Sequence, residues 1–261
     1  MLILLPPSET KNDGGVGGAL DLASLRFPSL TKTRRAVLRA VTELSRDREA
    51  SIRALKLGPK QHSEVDRNRA IRRSPTMPAL ELYTGVLYDA LDAGTLSPSE
   101  LARAHDVVAV HSALFGLVAA GDPIPPYRLS FDSRLPDTTL KRLWSAPVTA
   151  ELARSAGVII DLRSEGYAGL GPLPARRESV YVRVLARDET GRVRALNHFN
   201  KQAKGLFARA IIASGLEFDD VAQLTDWARA EGYEVGLNGG ELELVVPSVT
   251  GEPGRLMATL R

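Results

Sequence analysis

The chain begins with a short apolar run that ends in a polar segment, Leu2-Ile3-Leu4-Leu5-Pro6-Pro7-Ser8-Glu9-Thr10-Lys11. A continuous apolar run that stops at proline predicts a fully buried strand, as found in parallel sheets. Similar runs at 107–111 and 158–162 predict two more strands of this kind. Helical patterns lie between them, including the capping box Ser97-Pro98-Ser99-Glu100. We therefore predict a mixed α/β fold, a single compact domain over 1–261 with a mixed sheet wrapped by helices.

Two predicted hairpins add antiparallel strands to this sheet. Residues 179–188 alternate apolar and polar side chains, and Glu189-Thr190-Gly191 turns the chain into a second strand at 192–197. Residues 233–246 contain two further runs around Asn238-Gly239-Gly240, a sequence that provides the positive φ angles of a tight turn.

The composition excludes several classes of protein. Of 261 residues, 44% are hydrophobic and 25% are charged, which is typical of a globular protein and excludes wholesale disorder. There is no cysteine, so disulfide scaffolds, thiolate metal sites and cysteine nucleophiles are excluded. The four histidines show no spacing of a metal site, and we predict neither a metal nor a cofactor.

The longest apolar stretch, residues 107–121, contains His111 and Ser112 and is shorter than a bilayer span. The N-terminus has no basic start and only about five apolar residues before two prolines, unlike a secretory signal. We expect a cytoplasmic protein that does not associate with membranes. Its oligomeric state is left open.

Charge is distributed unevenly along the chain. Residues 26–80 hold 14 Lys or Arg against 5 Asp or Glu, whereas residues 215–261 hold 3 against 9. The first region is a candidate for binding anions, and solvated basic helix faces are the alternative interpretation.

Within the basic region, Leu55-Lys56-Leu57-Gly58-Pro59-Lys60 separates two segments with helical potential, 49–56 and 60–73. This arrangement predicts a helix-hairpin-helix at about 47–73, whose turn amides and cations contact DNA phosphates largely independently of sequence. The candidate nucleic-acid-binding residues are Arg53, Lys56, Gly58, Lys60, Arg67, Arg69, Arg72 and Arg73. A plain corner between two helices with a basic face is the alternative.

Four polar segments, 6–11, 111–116, 163–167 and 200–205, each follow a predicted strand. If those strands are parallel neighbours, the segments converge outside their carboxyl ends, where ligands bind in open α/β sheets. We expect Arg128, Lys201 and Lys204 to bind anions, Glu9 and Glu165 to act as acid or base, and Tyr127 to offer a stacking surface. Such a pocket suits a nucleotide or a flipped base. The alternative is that these cations neutralise buried carboxylates and cap helices.

The same segments carry a family resemblance that covers nearly the whole chain. The matching residues are Leu2-Ile3-Leu4-Leu5-Pro6-Pro7-Ser8-Glu9, Tyr83-Thr84-Gly85-Val86-Leu87-Tyr88, Ser112-Ala113-Leu114-Phe115-Gly116-Leu117, Asp122, Pro126-Tyr127-Arg128-Leu129, Leu143-Trp144, Asp161-Leu162-Arg163-Ser164-Glu165-Gly166-Tyr167 and Asn200-Lys201-Gln202-Ala203-Lys204-Gly205-Leu206. In their order and spacing, these residues resemble the YaaA-like peroxide stress proteins of bacteria. Where many members have Ser-Pro-Ala-Lys, this chain has Pro6-Pro7-Ser8-Glu9, which reverses a charge at Glu9.

The resemblance implies a single α/β domain with a helix-hairpin-helix and a positively charged cleft that binds DNA. It also implies a cytoplasmic role in the peroxide stress response, by limiting free iron and hydroxyl-radical damage to DNA. No reaction is firmly attached to the family, so we lean against an enzyme and assign no catalytic residue. The alternative hypothesis is an enzyme acting on a nucleotide or nucleobase, with Glu9, Glu165 and Tyr127 as its candidate catalytic residues.

Overall fold

The computed structural model describes residues 1–187, 193–195 and 199–247 of the chain. The strands are β1 (Leu2–Leu5), β2 (Met77–Pro78), β3 (Val108–Ser112), β4 (Gly116–Ala119), β5 (Pro123–Ile124), β6 (Ile159–Asp161), β7 (Ser179–Arg187), β8 (Val193–Ala195), β9 (Glu234–Asn238) and β10 (Glu241–Pro247). The helices are α1 (Thr31–Leu44), α2 (Arg48–Ala54), α3 (Glu64–Ala70), α4 (Ala79–Leu82), α5 (Val86–Leu91), α6 (Pro98–Val107), α7 (Leu140–Arg154), α8 (Glu165–Ala168), α9 (Phe199–Ser214) and α10 (Val221–Ala230).

One large sheet organises this mixed α/β domain. Its strand order is β4-β3-β1-β6-β7-β10-β9, and β8 pairs with β7. The five strands from β3 to β10 in this order are parallel, while β4, β8 and β9 pair antiparallel to their neighbours. The predicted mixed sheet wrapped by helices is confirmed.

The register of the central strands places their carboxyl ends together. Leu4 of β1 lies opposite Ala109 of β3 and Asp161 of β6. Every residue of β1 and β3 is buried, as expected for strands covered on both faces. The polar segments that follow β1, β3 and β6 therefore leave the sheet at the same edge.

Helices pack against the sheet through buried side chains. Trp144 of α7 is fully buried, and its Nε1 donates to the carbonyl oxygen of Ala113 at 2.9 Å. Arg34 of α1 is also fully buried and donates to the carbonyl oxygens of Phe115 and Leu117. A guanidinium that satisfies backbone acceptors in the core ties α1 to the turn after β3 and to β4. None of the helices in the described ranges has both the length and the apolar character needed to cross a membrane.

Both predicted hairpins have their strands paired as expected. β9 and β10 pair antiparallel around Gly239 and Gly240, which have φ angles of 58° and 83°. β7 and β8 also pair antiparallel, and the predicted turn at 189–191 lies outside the described residues.

The helix-hairpin-helix predicted at about 47–73 is not confirmed. α2 and α3 are shorter than the predicted 49–56 and 60–73, and the connection over 55–63 contains a 3-10 turn at Pro59–Gln61. Lys56 adopts a left-handed conformation with φ of 54°, which ends α2. Pro59 then disfavours helical backbone at the preceding residue, so the chain needs a longer connection than a tight hairpin.

Candidate functional site

A cavity of about 520 Å³ lies at the sheet edge where the central strands end. Its walls are formed by residues 6–10, residues 84–88, Ser130, Phe131, Leu162, Ser164, Tyr167, Asn200, Lys201 and Lys204. We call this cavity the pocket. Three of the four predicted polar segments contribute to it. Segments 6–11 and 163–167 follow the parallel strands β1 and β6, as the sequence indicated, whereas segment 200–205 follows the antiparallel strand β8 and reaches the pocket on α9.

The fourth segment, 111–116, lies behind the pocket and supports it. The Ser112 hydroxyl accepts from the backbone N–H groups of Leu114 and Phe115 and lies 2.7 Å from the Tyr127 hydroxyl. Tyr127, which we expected to be a stacking surface, is fully buried and also bonds to Tyr83 at 2.9 Å. That expectation is therefore wrong: Tyr127 belongs to the core, and its pKa is raised to about 12 by burial.

Lys204 lines the pocket from α9 and is only 3% exposed. Its Nζ donates to the carbonyl oxygen of Arg163 at 2.9 Å and lies 4.8 Å from the centre of the Tyr181 ring. Burial lowers the pKa of Lys204 to about 8. An ammonium group has three N–H donors, and among the described residues one hydrogen bond is made. Lys204 therefore keeps N–H donors for a ligand.

Gly205 explains how α9 brings Lys204 to the pocket. A Cβ atom at Gly205 would lie 2.2 Å from the carbonyl oxygen of Leu87, so α9 crosses α5 at a distance that only glycine allows. Lys204 and Lys201 consequently face the same cavity as residues 84–88.

A buried ion pair lies beneath Lys204. Arg163 bonds to both carboxylate oxygens of Asp161 at 2.8 and 2.6 Å, and both residues are fully buried. Nη1 of Arg163 lies 2.8 Å from Nδ1 of His111. Burial and the neighbouring charge of Arg163 hold the pKa of His111 well below its usual value. His111 is neutral, and the Arg163 guanidinium is occupied by Asp161. These contacts hold the Arg163 side chain in place, and the backbone carbonyl of the same residue accepts from Lys204.

A second group of cations lies behind the Glu9 side of the pocket. Arg128 is 8% exposed, and its Nη2 donates to the Glu9 carboxylate at 3.3 Å. Lys11 donates to the carbonyl oxygen of Ser8 at 2.8 Å, and its Nζ lies 4.4 Å from the Tyr127 ring centre. Loss of solvation, followed by repulsion from Arg128, lowers the pKa of Lys11 to about 7. Sequence reasoning missed Lys11, although it ends the polar segment that follows β1.

Of the three remaining residues predicted for the pocket, two line the cavity and one lies outside its wall. Glu9 lines the cavity with a largely exposed carboxylate, and Lys201 lines it from the first turn of α9. Glu165 is exposed, lies outside the cavity wall and pairs with Arg183 at 3.2 Å. In the described part of the chain, no three His, Asp or Glu side chains are grouped so that they could hold a metal ion.

The basic segment, residues 47–73, carries mostly paired cations. Arg53 pairs with Glu49, Lys56 with Asp132, Arg67 with Asp13 and Glu64, and Arg69 with Asp66. The backbone N–H of Gly58 donates to the Gln61 side chain at 3.1 Å, so this turn amide is also occupied. These four cations and the turn amide therefore already have partners within the protein.

Three predicted cations of the basic segment differ from the others. Lys60, Arg72 and Arg73 are exposed, and none of them has an ion pair within the residues that the structure describes. Lys60 lies before α3, and the two arginines follow it. They are the cations that a phosphate can reach without displacing a carboxylate.

The loop 128–134 joins the basic segment to the pocket. The buried Asn68 side chain of α3 bonds to both the backbone N–H and the carbonyl of Arg128, each at 2.8 Å. Arg134 donates its backbone N–H to the carbonyl oxygen of Ala54 in α2 at 2.9 Å. Phe131, within the same loop, lines the pocket. The basic segment therefore contacts the loop that forms part of the pocket wall.

Comparison with known proteins assigns the chain to a family. The sequence model described as peroxide stress protein YaaA matches residues 1–237. The chain belongs to the YaaA peroxide stress protein family. It is 44% identical to a UPF0246 protein of Corynebacterium efficiens over 248 residues, which cover 93% of this chain and 98% of the relative. A UPF0246 protein of Streptomyces coelicolor is 38% identical over 264 residues, covering 98% of this chain and 97% of the relative.

Membership of the YaaA family agrees with the resemblance drawn from the sequence segments. The segments that carry it include 6–9, 83–88 and 200–206. In the structure, these three segments come from separate elements and supply most of the pocket wall.

Proposed function

We propose that this YaaA-family protein binds DNA largely independently of sequence and helps to limit iron-dependent oxidative DNA damage during peroxide stress. The observation that carries the proposal is the position of three exposed cations, Lys60, Arg72 and Arg73, which have no ion pair among the described residues and lie on a segment that adjoins the pocket. Exposed Lys and Arg side chains neutralise phosphates and release counterions, which favours binding to any sequence.

The paired cations of the basic segment also remain available to a polyanion. Residues 47–73 hold eight Lys or Arg against four Asp or Glu, so the segment stays positive after every carboxylate has been paired. Exposed ion pairs such as Arg53 with Glu49 contribute only about 0–1 kcal/mol each. A phosphate can therefore replace a carboxylate partner at little cost.

Protection against iron follows from the same electrostatics. Cationic side chains that bind phosphates displace the cations condensed on the duplex, including ferrous ions. A ferrous ion that leaves the DNA generates its hydroxyl radical further from the sugars and bases. We expect the protein to reduce strand breaks caused by ferrous iron and hydrogen peroxide in proportion to DNA occupancy.

The test is a salt titration of affinity for a labelled duplex, read by fluorescence anisotropy. The variant Lys60→Ala/Arg72→Ala/Arg73→Ala should bind more weakly, with a salt slope shallower by about one for each phosphate that the variant no longer neutralises. The control Lys141→Ala/Arg142→Ala/Arg177→Ala removes three exposed cations from outside the basic segment and should keep the wild-type slope. Equal slopes for the two triple variants would refute the proposal.

A second candidate function is an enzyme that acts on a nucleotide or nucleobase in the pocket. Its support is the combination of Lys204, Lys201 and the Glu9 carboxylate in a cavity of a size that suits a small ligand. Lys204 and Lys201 would bind a phosphate, and Glu9 would transfer a proton. A turnover screen over nucleotides and damaged-base oligonucleotides tests it, with Glu9→Gln as the inactive control. No turnover and no thermal stabilisation at millimolar nucleotide would count against this function.

A further inference from the structure

The pocket exposes apolar surface that a folded protein usually covers. Among the described residues, five large hydrophobic side chains are exposed, and two of them, Val86 at 42% and Phe131 at 43%, line the pocket. Val86 begins α5, and Phe131 lies in the loop 128–134. Apolar side chains exposed together in a cavity are typical of a binding site for an apolar or aromatic ligand.

Phe131 is held in a fixed position. Its ring contacts Tyr167 edge to face, with centroids 5.5 Å apart and planes at 65°. Tyr167 is buried and contacts His111 in the same manner. A Cβ atom at Gly166 would lie 2.5–2.7 Å from three atoms of the Phe131 ring, so the ring rests directly on the backbone there. An exposed aromatic ring that is fixed in advance loses little entropy when a planar ligand stacks on it.

The pocket also contains polar groups whose hydrogen-bonding capacity is not fully used by the described residues. Asn200 lines the cavity, and its Oδ1 is buried with no hydrogen-bond partner among the described residues. Lys204 keeps N–H donors, since its one hydrogen bond within the described residues goes to the Arg163 carbonyl. An amide offers an acceptor beside two donors, the pattern that pairs with the edge of a nucleobase.

We propose that the pocket binds one unpaired nucleobase of a DNA strand, stacked on Phe131 and hydrogen-bonded at its edge by Asn200. This inference rests on the proposed DNA binding and adds a preference for DNA that contains an unpaired base. The basic segment favours a base within a strand over a free nucleotide, because the loop that carries Phe131 is hydrogen-bonded to α2 and α3. A strand whose phosphates lie on the basic segment presents its bases beside Phe131.

The experiment compares two labelled duplexes that differ only in a bulged 2-aminopurine, whose fluorescence changes when the base leaves the stack of neighbouring bases. Wild-type protein should bind the bulged duplex more tightly than the fully paired one by about 5- to 150-fold, the range for one base stacked on an aromatic side chain. The 2-aminopurine fluorescence should change on binding.

Phe131→Ala should abolish this preference and the fluorescence change while leaving affinity for the paired duplex unchanged. Phe131→Trp should retain both, and Leu237→Ala, which removes an exposed apolar side chain outside the pocket wall, should behave as wild type. Thermal melting of each variant confirms folding.

Equal affinity for bulged and paired duplexes would overturn the inference and leave the proposed DNA binding intact. Absence of binding to either duplex would overturn both. In a parallel arm, free 2-aminopurine nucleoside monophosphate is titrated into the protein. Phe131-dependent binding in this arm without any preference for the bulged duplex would assign the pocket to free nucleotides and also overturn the inference.

Discussion

The basic segment and the pocket hold positive charge in opposite ways. The basic segment carries many cations at the surface, and most of them are paired with exposed carboxylates. The pocket has few cations, but Lys204 is almost fully buried and makes only one hydrogen bond among the described residues, so it keeps donors for a ligand. The number of cations in a segment therefore does not tell how strongly it binds an anion. The strength of anion binding also depends on how far each cation is buried and on whether a neighbouring carboxylate already pairs with it.

The largest expected difference concerns the ion pairs of the two regions. Asp161→Ala leaves the buried Arg163 guanidinium without its counterion, and we expect a loss of about 3–5 kcal/mol in the free energy of unfolding. Glu49→Ala removes a partner of the exposed Arg53 and should cost about 0–1 kcal/mol. Urea denaturation measures both. Similar losses for the two variants would show that burial does not separate the two regions in this way.

The next largest expected loss of stability concerns the close approach of α5 and α9. Gly205→Ala places a Cβ atom against the backbone carbonyl of Leu87, and such overpacking costs about 1–3 kcal/mol. Gly94→Ala is the matched control, because nothing lies within 4 Å of its added Cβ. Thermal and urea unfolding of the two variants should differ clearly. A neutral Gly205→Ala would mean that the helices can separate at no cost in stability.

The pocket should also respond to pH through Lys204. Its pKa is lowered to about 8 in the folded protein, so above that pH the unfolded chain binds a proton that the folded chain has released. The contribution of Lys204 to the free energy of unfolding therefore rises with pH above about 8. Between about pH 8 and 9.5, the wild type should gain about 1–2 kcal/mol relative to Lys204→Met. The same pH dependence of urea unfolding in both proteins would show that burial does not lower the pKa of Lys204.

The smallest effect tests whether paired cations of the basic segment remain available. Asp66 pairs with both Arg48 and Arg69 at the surface. Asp66→Asn should change stability by less than about 1 kcal/mol and should strengthen duplex binding at low salt by about twofold to fivefold. Anisotropy titrations at two salt concentrations measure the change. Weaker binding by this variant would argue that DNA does not contact this face.

The sequence predicted the features that depend on local pattern. Apolar runs at 2–5 and 158–162 gave the buried strands, and their parallel order brought polar segments to one edge. Tyr127 was misjudged because a tyrosine in an irregular segment has the same local pattern whether it faces a cavity or the core. The contacts with Ser112 and Tyr83 that bury it come from distant parts of the chain.

Phe131 and Lys11 were missed for the related reason that tertiary structure gives them their roles. Phe131 lines the pocket because Gly166 and Tyr167 support its ring from another element. Lys11 is desolvated by the fold around Tyr127 and Arg128. A phenylalanine in a polar loop that lies next to a strand-end segment is the signal that could have identified the first of them.

In our proposal, the basic segment and the pocket form one DNA-binding surface. The most direct test is to photocrosslink a duplex with a bulged 5-iododeoxyuridine to the protein and to locate the cross-link by mass spectrometry. We predict cross-links at Phe131 that disappear in Lys60→Ala/Arg72→Ala/Arg73→Ala at moderate salt. Cross-links confined to residues outside both the pocket and the basic segment, such as those of α10, would contradict the proposal.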